Sequence, residues 1–89
     1  APVTIGNNVM IGPNVDIYAV NHPLTAQGRR ASLAKGSPVT IGNDVWIGGN
    51  VTITPGVTIG DNVVVAAGVV VTHDVPANMV SCGYTSKGD

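Results

Sequence analysis

The chain contains 89 residues with a formal net charge of −1, and charged side chains make up only 10% of it. This length allows a single domain, and the charge balance offers no basic surface for nucleic acid. No apolar run reaches the roughly 18 residues that span a bilayer, and the lone cysteine, Cys82, cannot form an internal disulfide. We therefore predict a cytoplasmic domain that binds neither nucleic acid nor a membrane.

An apolar residue recurs every six positions along most of the chain. The members of this first set are Ile5, Ile11, Ile17, Ile41, Ile47, Ile53, Ile59, Val65 and Val71. A second set lies four residues after members of the first and comprises Val9, Val15, Val45, Val51, Val57, Val63, Val69 and Val75. A period of six fits neither an α-helix nor a flat strand, and it is typical of a parallel β-helix, in which successive coils stack.

The residue just before each member of the second set is Asn, Asp or Gly, the types that best tolerate a positive φ. These predicted corners are Asn8, Asn14, Asp44, Asn50, Gly56, Asn62, Gly68 and Asp74. A corner every six residues gives triangular coils of 18 residues. The stacked pairs that this predicts are Ile41 with Ile59, Ile47 with Val65 and Ile53 with Val71.

Three coils follow from the repeat, at about residues 3–20, 39–56 and 57–74. Between the first two coils, residues 20–38 break the pattern and contain three of the four basic residues. A segment of this length without its own repeat is typical of a functional loop, so we predict that it is extruded from a corner of the coil.

The regular pattern ends at Pro76. The predicted domain is therefore a β-helix over residues 1–76, followed by a C-terminal tail over residues 77–89. The first coil has an open strand edge with no capping segment, so we expect an oligomer, additional N-terminal sequence, or both.

Several segments resemble hexapeptide-repeat acetyltransferases, most closely the maltose/galactoside O-acetyltransferase group. They are the loop opening Ile-Tyr-Ala-Val-Asn-His-Pro-Leu at 17–24, the run Pro-Val-Thr-Ile-Gly-Asn-Asp-Val-Trp-Ile-Gly-Gly at 38–49, and the segments 55–62 and 71–76. The similarity extends to about residue 83 and is to the C-terminal half of that family. It implies a left-handed parallel β-helix, here of about three triangular coils, and a homotrimer with active sites between subunits. It also implies acetyl-CoA as a co-substrate, with no permanently bound cofactor.

The resemblance places the catalytic histidine at His22, at the opening of the loop. Transfer of an acetyl group from a thioester to an alcohol requires a base that accepts the hydroxyl proton, and an imidazole suits this role at neutral pH. The alternative is a solvent-exposed loop histidine without a catalytic role.

The acetyl-CoA site is predicted from positions that match the family. Trp46 corresponds to a position beside the CoA channel and the neighbouring subunit, and its side chain is expected to point outward. Gly49, Ala67 and Thr72 match positions where the family's backbone contacts CoA, although small residues are also suited to tight corners. His73 occupies the place of a lysine near the CoA phosphates and is otherwise a surface residue.

Lys87 matches a basic residue in the family's tail that meets the nucleotide phosphates. The tail departs from the family pattern, since the usual proline is absent from the segment 83–89. A terminal residue without a binding role is the alternative for Lys87.

The predicted function is that of an acetyl-CoA-dependent O-acetyltransferase acting on a sugar hydroxyl, with His22 as general base. The alternative is a truncated, non-catalytic β-helix oligomerisation module of the same family. A catalytic zinc site is not predicted, because it commonly requires three protein ligands such as histidines and the chain has two histidines.

Overall fold

The computed structural model describes residues 2–21 and 35–82, which contain twelve short strands. Ten of these strands form three parallel sheets, which we call faces A, B and C. Face A contains β1 (Val3–Ile5), β6 (Val39–Ile41) and β9 (Thr58–Ile59). Face B contains β2 (Met10–Ile11), β7 (Trp46–Ile47), β10 (Val64–Val65) and β12 (Val80–Ser81). Face C contains β3 (Asp16–Ile17), β8 (Thr52–Ile53) and β11 (Val70–Val71).

Neighbouring strands within each face belong to successive coils of the chain. The backbone hydrogen bonds run from one coil to the next, as from the Gly42 amide to the Ile59 carbonyl at 2.8 Å. The observed pairs are Ile41 with Ile59, Ile47 with Val65 and Ile53 with Val71. The stacking predicted from the six-residue period is therefore confirmed.

Positive φ angles mark the corners between faces. Seven of the eight predicted corners have one, and they are Asn8, Asn14, Asp44, Asn50, Gly56, Asn62 and Gly68. Asp74 does not adopt a positive φ, so this prediction was wrong. A further positive φ, 65° at Asn78, marks the corner equivalent to Asn62 in the next coil. At each of these corners a single residue with positive φ redirects the chain from one face to the next.

The core is a column of β-branched side chains inside the prism. Its buried members are Val39, Ile41, Val45, Ile47, Val51, Ile53, Val57, Ile59, Val63, Val65, Val69 and Val71. The inward side chains of the first coil are less covered, and Ile5 is 44% exposed. No described coil lies beneath the first one, so these side chains have neighbours on one side only.

The ends of the predicted loop are joined by a two-stranded antiparallel sheet. Strand β4 (Val20–Asn21) pairs with β5 (Lys35–Gly36). The chain therefore leaves the first coil and rejoins the stack at the same place. Residues 22–34 of the predicted extruded loop lie outside the described residues. Asn7 and Asn43 occupy equivalent positions in the first two coils and are 36 residues apart. Asn43 and Asp61, the equivalent positions in the next two coils, are only 18 residues apart.

The coil continues past the predicted boundary at residue 76. Strand β12 pairs in parallel with β10, and Val75 forms a bridge to Ile59. The segment 77–82, which was predicted as part of the tail, thus adds a fourth strand to face B. The prediction failed here because the last coil is two residues shorter, with Asn62 and Asn78 separated by 16 positions. Val75 consequently takes the place of a first-set residue.

Close stacking of backbones at one corner provides a test of the fold. A Cβ added at Gly48 would lie 2.7 Å from the Ala67 amide nitrogen. We expect Gly48→Ala to lower the free energy of unfolding by about 1–3 kcal/mol, because a rigid backbone must move. Urea denaturation of the full-length protein measures this.

Gly68 is the matched control for that variant. Its φ is +78°, the space beside it is open, and Asn50 has a similar φ at the equivalent corner of the preceding coil. Gly68→Asn should therefore change stability by less than about 0.5 kcal/mol. Equal losses in the two variants would contradict the close approach at Gly48.

Candidate functional site

The outward side chains of the three faces differ in character. On face B they form an apolar row in parallel register, which we call the face B ladder. Its members are Met10, Trp46, Val64 and Val80, all of them exposed. On face A the equivalent row is polar and contains Thr4, Thr40 and Thr58. An exposed apolar row on one face of a thin prism is typical of a contact or ligand surface.

Trp46 points outward from the centre of the face B ladder and is 56% exposed. Its strand alternates, so that the next residue, Ile47, is fully buried. This geometry follows from the two-residue period of a strand, and it confirms the orientation predicted for the indole.

An open groove of about 490 Å³ lies beside the indole; we call it the Trp46 groove. Its lining residues are Gly12, Pro13, Trp46, Gly48, Gly49, Val64, Val65, Ala66 and Ala67. The structure thus brings together Trp46, Gly49 and Ala67, three of the residues for which the family resemblance implied a role in CoA binding. That role remains a prediction. Most of the lining residues beside the apolar indole are small.

Glycines keep the corner beside the groove narrow. A Cβ at Gly12 would lie 2.8 Å from the Gly49 amide nitrogen, and one at Gly49 would lie 3.3 Å from Pro13. The Gly68 amide donates a hydrogen bond to the Gly49 carbonyl at 2.9 Å, which holds successive coils in register here. The floor of the groove is therefore closely stacked backbone, a surface suited to a slender, extended ligand.

A second cavity of about 140 Å³ lies at the end of the last coil; we call it the end cavity. It is lined by residues 69–76 and by Met79, Val80 and Ser81. Thr72 and His73 border this cavity and are both exposed. The predicted CoA residues therefore fall into two groups. The face B ladder connects them, since Val64 borders the groove and its paired neighbour Val80 borders the end cavity.

Two predicted site residues, His22 and Lys87, lie outside the described residues. His22 follows directly after β4 in the sequence, at the strand whose pairing with β5 closes the base of the loop. Its catalytic role and the role of Lys87 remain predictions.

Sequence reasoning missed Met10, Val64, Val80 and Pro13 as surface residues of this region. The sequence contains a signal for this apolar row in positions 18 residues apart. Trp46 and Val64 each precede a buried first-set residue, and both lie on the same face. A comparison of outward positions coil by coil would have separated the apolar face B from the threonine-bearing face A.

Three features of the described residues concern metal binding, membrane insertion and thiol chemistry. Within residues 2–21 and 35–82, no group of three or more His, Cys, Asp or Glu side chains is placed to hold a metal ion. The same part of the chain contains no helix with the length and hydropathy needed to cross a bilayer. Cys82 is a free, exposed thiol.

Comparison with known proteins links this geometry to one family. The family model described as "Hexapeptide repeat of succinyl-transferase" matches residues 2–17 and 38–73. Over 81 residues the chain is 52% identical to the galactoside O-acetyltransferase of Escherichia coli K12, and the alignment covers 91% of this chain and 40% of that protein.

Solved structures give the same result. A maltose O-acetyltransferase from Clostridium difficile superposes with a TM-score of 0.84 at 60% identity, covering 88% of this chain and 42% of that one. A hexapeptide-repeat-containing acetyltransferase from Vibrio cholerae, complexed with acetyl coenzyme A, gives 0.85 at 49% identity, covering 90% and 44%. The predicted left-handed parallel β-helix is thereby confirmed. The chain spans less than half the length of each of these relatives.

Proposed function

Because this chain belongs to the hexapeptide-repeat acetyltransferase family, we propose that it forms the donor-binding part of an acetyl-CoA-dependent O-acetyltransferase acting on a sugar hydroxyl. The observation that carries the proposal is the Trp46 groove, which unites Trp46, Gly49 and Ala67 on one surface. The names of the relatives support the reaction and the sugar class, since one is a galactoside and another a maltose O-acetyltransferase.

The groove suits the pantetheine arm of acetyl-CoA. That arm is a narrow chain with amide groups and apolar segments, and it would lie against the indole of Trp46 and over the small residues Gly49 and Ala67. Burial of apolar ligand surface against the exposed indole supplies affinity, at roughly 25 cal/mol per Å². Thr72 and His73 at the end cavity would meet the nucleotide end, together with Lys87.

In the proposed reaction His22 acts as the general base. The sugar hydroxyl oxygen attacks the thioester carbonyl carbon while His22 accepts the hydroxyl proton. A backbone amide stabilises the oxyanion of the tetrahedral intermediate. The intermediate collapses with cleavage of the carbon–sulfur bond, the proton passes to the departing thiolate, and the products are free CoA and the acetylated sugar.

We propose that the active protein is a homotrimer with its sites between subunits. The exposed face B ladder supports this arrangement, since a row that includes a tryptophan and a methionine on one face is the composition of interface cores. A cytoplasmic location is part of the same proposal, because a lone cysteine supplies no disulfide framework.

The test is release of CoA from acetyl-CoA by the full-length protein, measured with a thiol reagent in the presence and absence of galactosides and maltose. Acceptor-dependent release is expected. In the same assay Trp46→Ala should raise the KM for acetyl-CoA about tenfold, which corresponds to a loss of about 1.4 kcal/mol of binding.

Thr40→Ala is the matched control, because Thr40 is exposed on the same coil but belongs to face A. Its KM should equal that of the native protein. Absence of acceptor-dependent release with every sugar would refute the enzyme and favour the non-catalytic oligomerisation module. Release with an unchanged KM in Trp46→Ala would retain the enzyme but refute the donor site.

A further inference from the structure

The last coil is two residues shorter than the one before it. Asn43 and Asp61 occupy equivalent positions 18 residues apart, whereas Asn62 and Asn78 are 16 residues apart. The shortening lies between Val71, which still pairs with Ile53, and Val75, which bridges to Ile59. The residues in this short connection are 72–74, which also border the end cavity.

The shortening removes a backbone hydrogen-bond acceptor from face A. One coil earlier, the Thr40 amide donates to the Val57 carbonyl at 3.1 Å. In the last coil the corresponding donor is the Thr58 amide, and it donates instead to Oδ1 of Asp74 at 2.8 Å. The carboxylate of Asp74 therefore occupies the place of a main-chain carbonyl.

The backbone hydrogen bonds on either side of the Asp74 carboxylate are regular. The Val75 amide donates to the Thr58 carbonyl at 2.9 Å, and the Gly60 amide donates to the Val75 carbonyl at 2.8 Å. Before the short connection, the Thr54 amide donates to the Val71 carbonyl at 3.1 Å. The Asp74 side chain thus ties the connection to the coil below between two backbone contacts.

We propose that Asp74 is a positioning residue, which holds the short connection in place by substituting its carboxylate for a backbone carbonyl. Because Thr72 and His73 belong to that connection, the hydrogen bond from Thr58 to Asp74 sets where these two side chains stand at the end cavity. The consequence for donor binding rests on the proposed function, whereas the hydrogen bond itself does not.

The first experiment measures amide hydrogen exchange in the full-length protein. Asp74→Ala should speed exchange at the Thr58 amide about tenfold or more, while Asp74→Asn, which keeps an Oδ1 acceptor, should exchange as the native protein does. The Thr40 amide, with its backbone partner, is the internal control and should not change in either variant. An unchanged Thr58 amide in Asp74→Ala overturns the proposal.

The second experiment separates positioning from a merely structural role. Asp74→Ala should raise the KM for acetyl-CoA severalfold with kcat within about twofold of native, and Asp74→Asn should restore the native KM. Asp16→Ala, which removes an exposed carboxylate on face C, should leave both constants unchanged. Faster Thr58 exchange with a native KM in Asp74→Ala overturns the positioning role.

Two further outcomes remain decisive. If the full-length protein transfers no acetyl group, the proposed function fails, and the exchange experiment alone tests the role of Asp74. If Asp74→Ala does not fold, Asp74→Glu replaces it, because its additional methylene moves the carboxylate away from the Thr58 amide. The same increase in exchange and in KM is then expected, and native behaviour overturns the proposal.

Discussion

Replacement of His22 by alanine should lower kcat for acetyl transfer by about 10²–10⁴-fold, the usual contribution of a positioned general base. The affinity for CoA should stay at the native value, because the proposed donor surface is formed by the Trp46 groove and the end cavity. Steady-state kinetics with the preferred sugar and calorimetric titration with CoA measure the two quantities separately.

The second histidine of the chain is the control for this experiment. His73 borders the end cavity and is proposed to meet the nucleotide end of the donor. His73→Ala should therefore raise the KM for acetyl-CoA and have little effect on kcat, the reverse of the pattern expected for His22. A His22→Ala enzyme with kcat within tenfold of native would exclude His22 as the base.

Truncation of Ile47 should produce the largest loss of stability. Ile47 is 0% exposed and lies between Ile11 and Val65 in the stacked column. Ile47→Ala removes buried methyl and methylene groups and leaves a cavity, and a narrow prism with a backbone on every side has little freedom to collapse into it. The expected cost is about 2–5 kcal/mol in the free energy of unfolding, measured by urea denaturation.

Val70→Ala is the matched control for the core variant. Val70 points outward from face C and is 56% exposed, so its truncation should cost less than about 0.5 kcal/mol. A loss below about 1 kcal/mol for Ile47→Ala would contradict the stacked core.

Most of the stack could be predicted from the repeat alone. A six-residue period with Asn, Asp or Gly before each second apolar residue leaves one way to bury Ile41, Ile47 and Ile53 together, so the pairs with the next coil followed. The outward direction of Trp46 followed as well, because it lies next to a buried residue on a strand.

The end of the stack could not be predicted in the same way. Val75 fits the period as a second-set residue, and nothing in its identity distinguishes that position from the first-set position that it occupies. Only the pairing of Val75 with Ile59 shows which of the two positions it occupies. Beside this pairing, the Thr58 amide donates to the Asp74 side chain. The strand Val80–Ser81 and the corner at Asn78 follow from that shift.

The candidate site shows the same division. Family resemblance indicated Trp46, Gly49, Ala67, Thr72 and His73 as one group, but their sequence positions carry no information on which of two cavities each borders. Which cavity a residue borders depends on the face and the coil on which it lies.

By itself, the sequence determined the architecture of this protein, because a six-residue period of β-branched side chains is compatible with one compact way of burying them. The tertiary structure alone decided where that period is broken, how a carboxylate replaces a backbone carbonyl at the break, and which outward side chains share a surface. These features depend on contacts between coils, which join residues 16 to 36 positions apart. A local sequence pattern specifies where the chain turns, but it does not specify which residue of another coil each residue contacts.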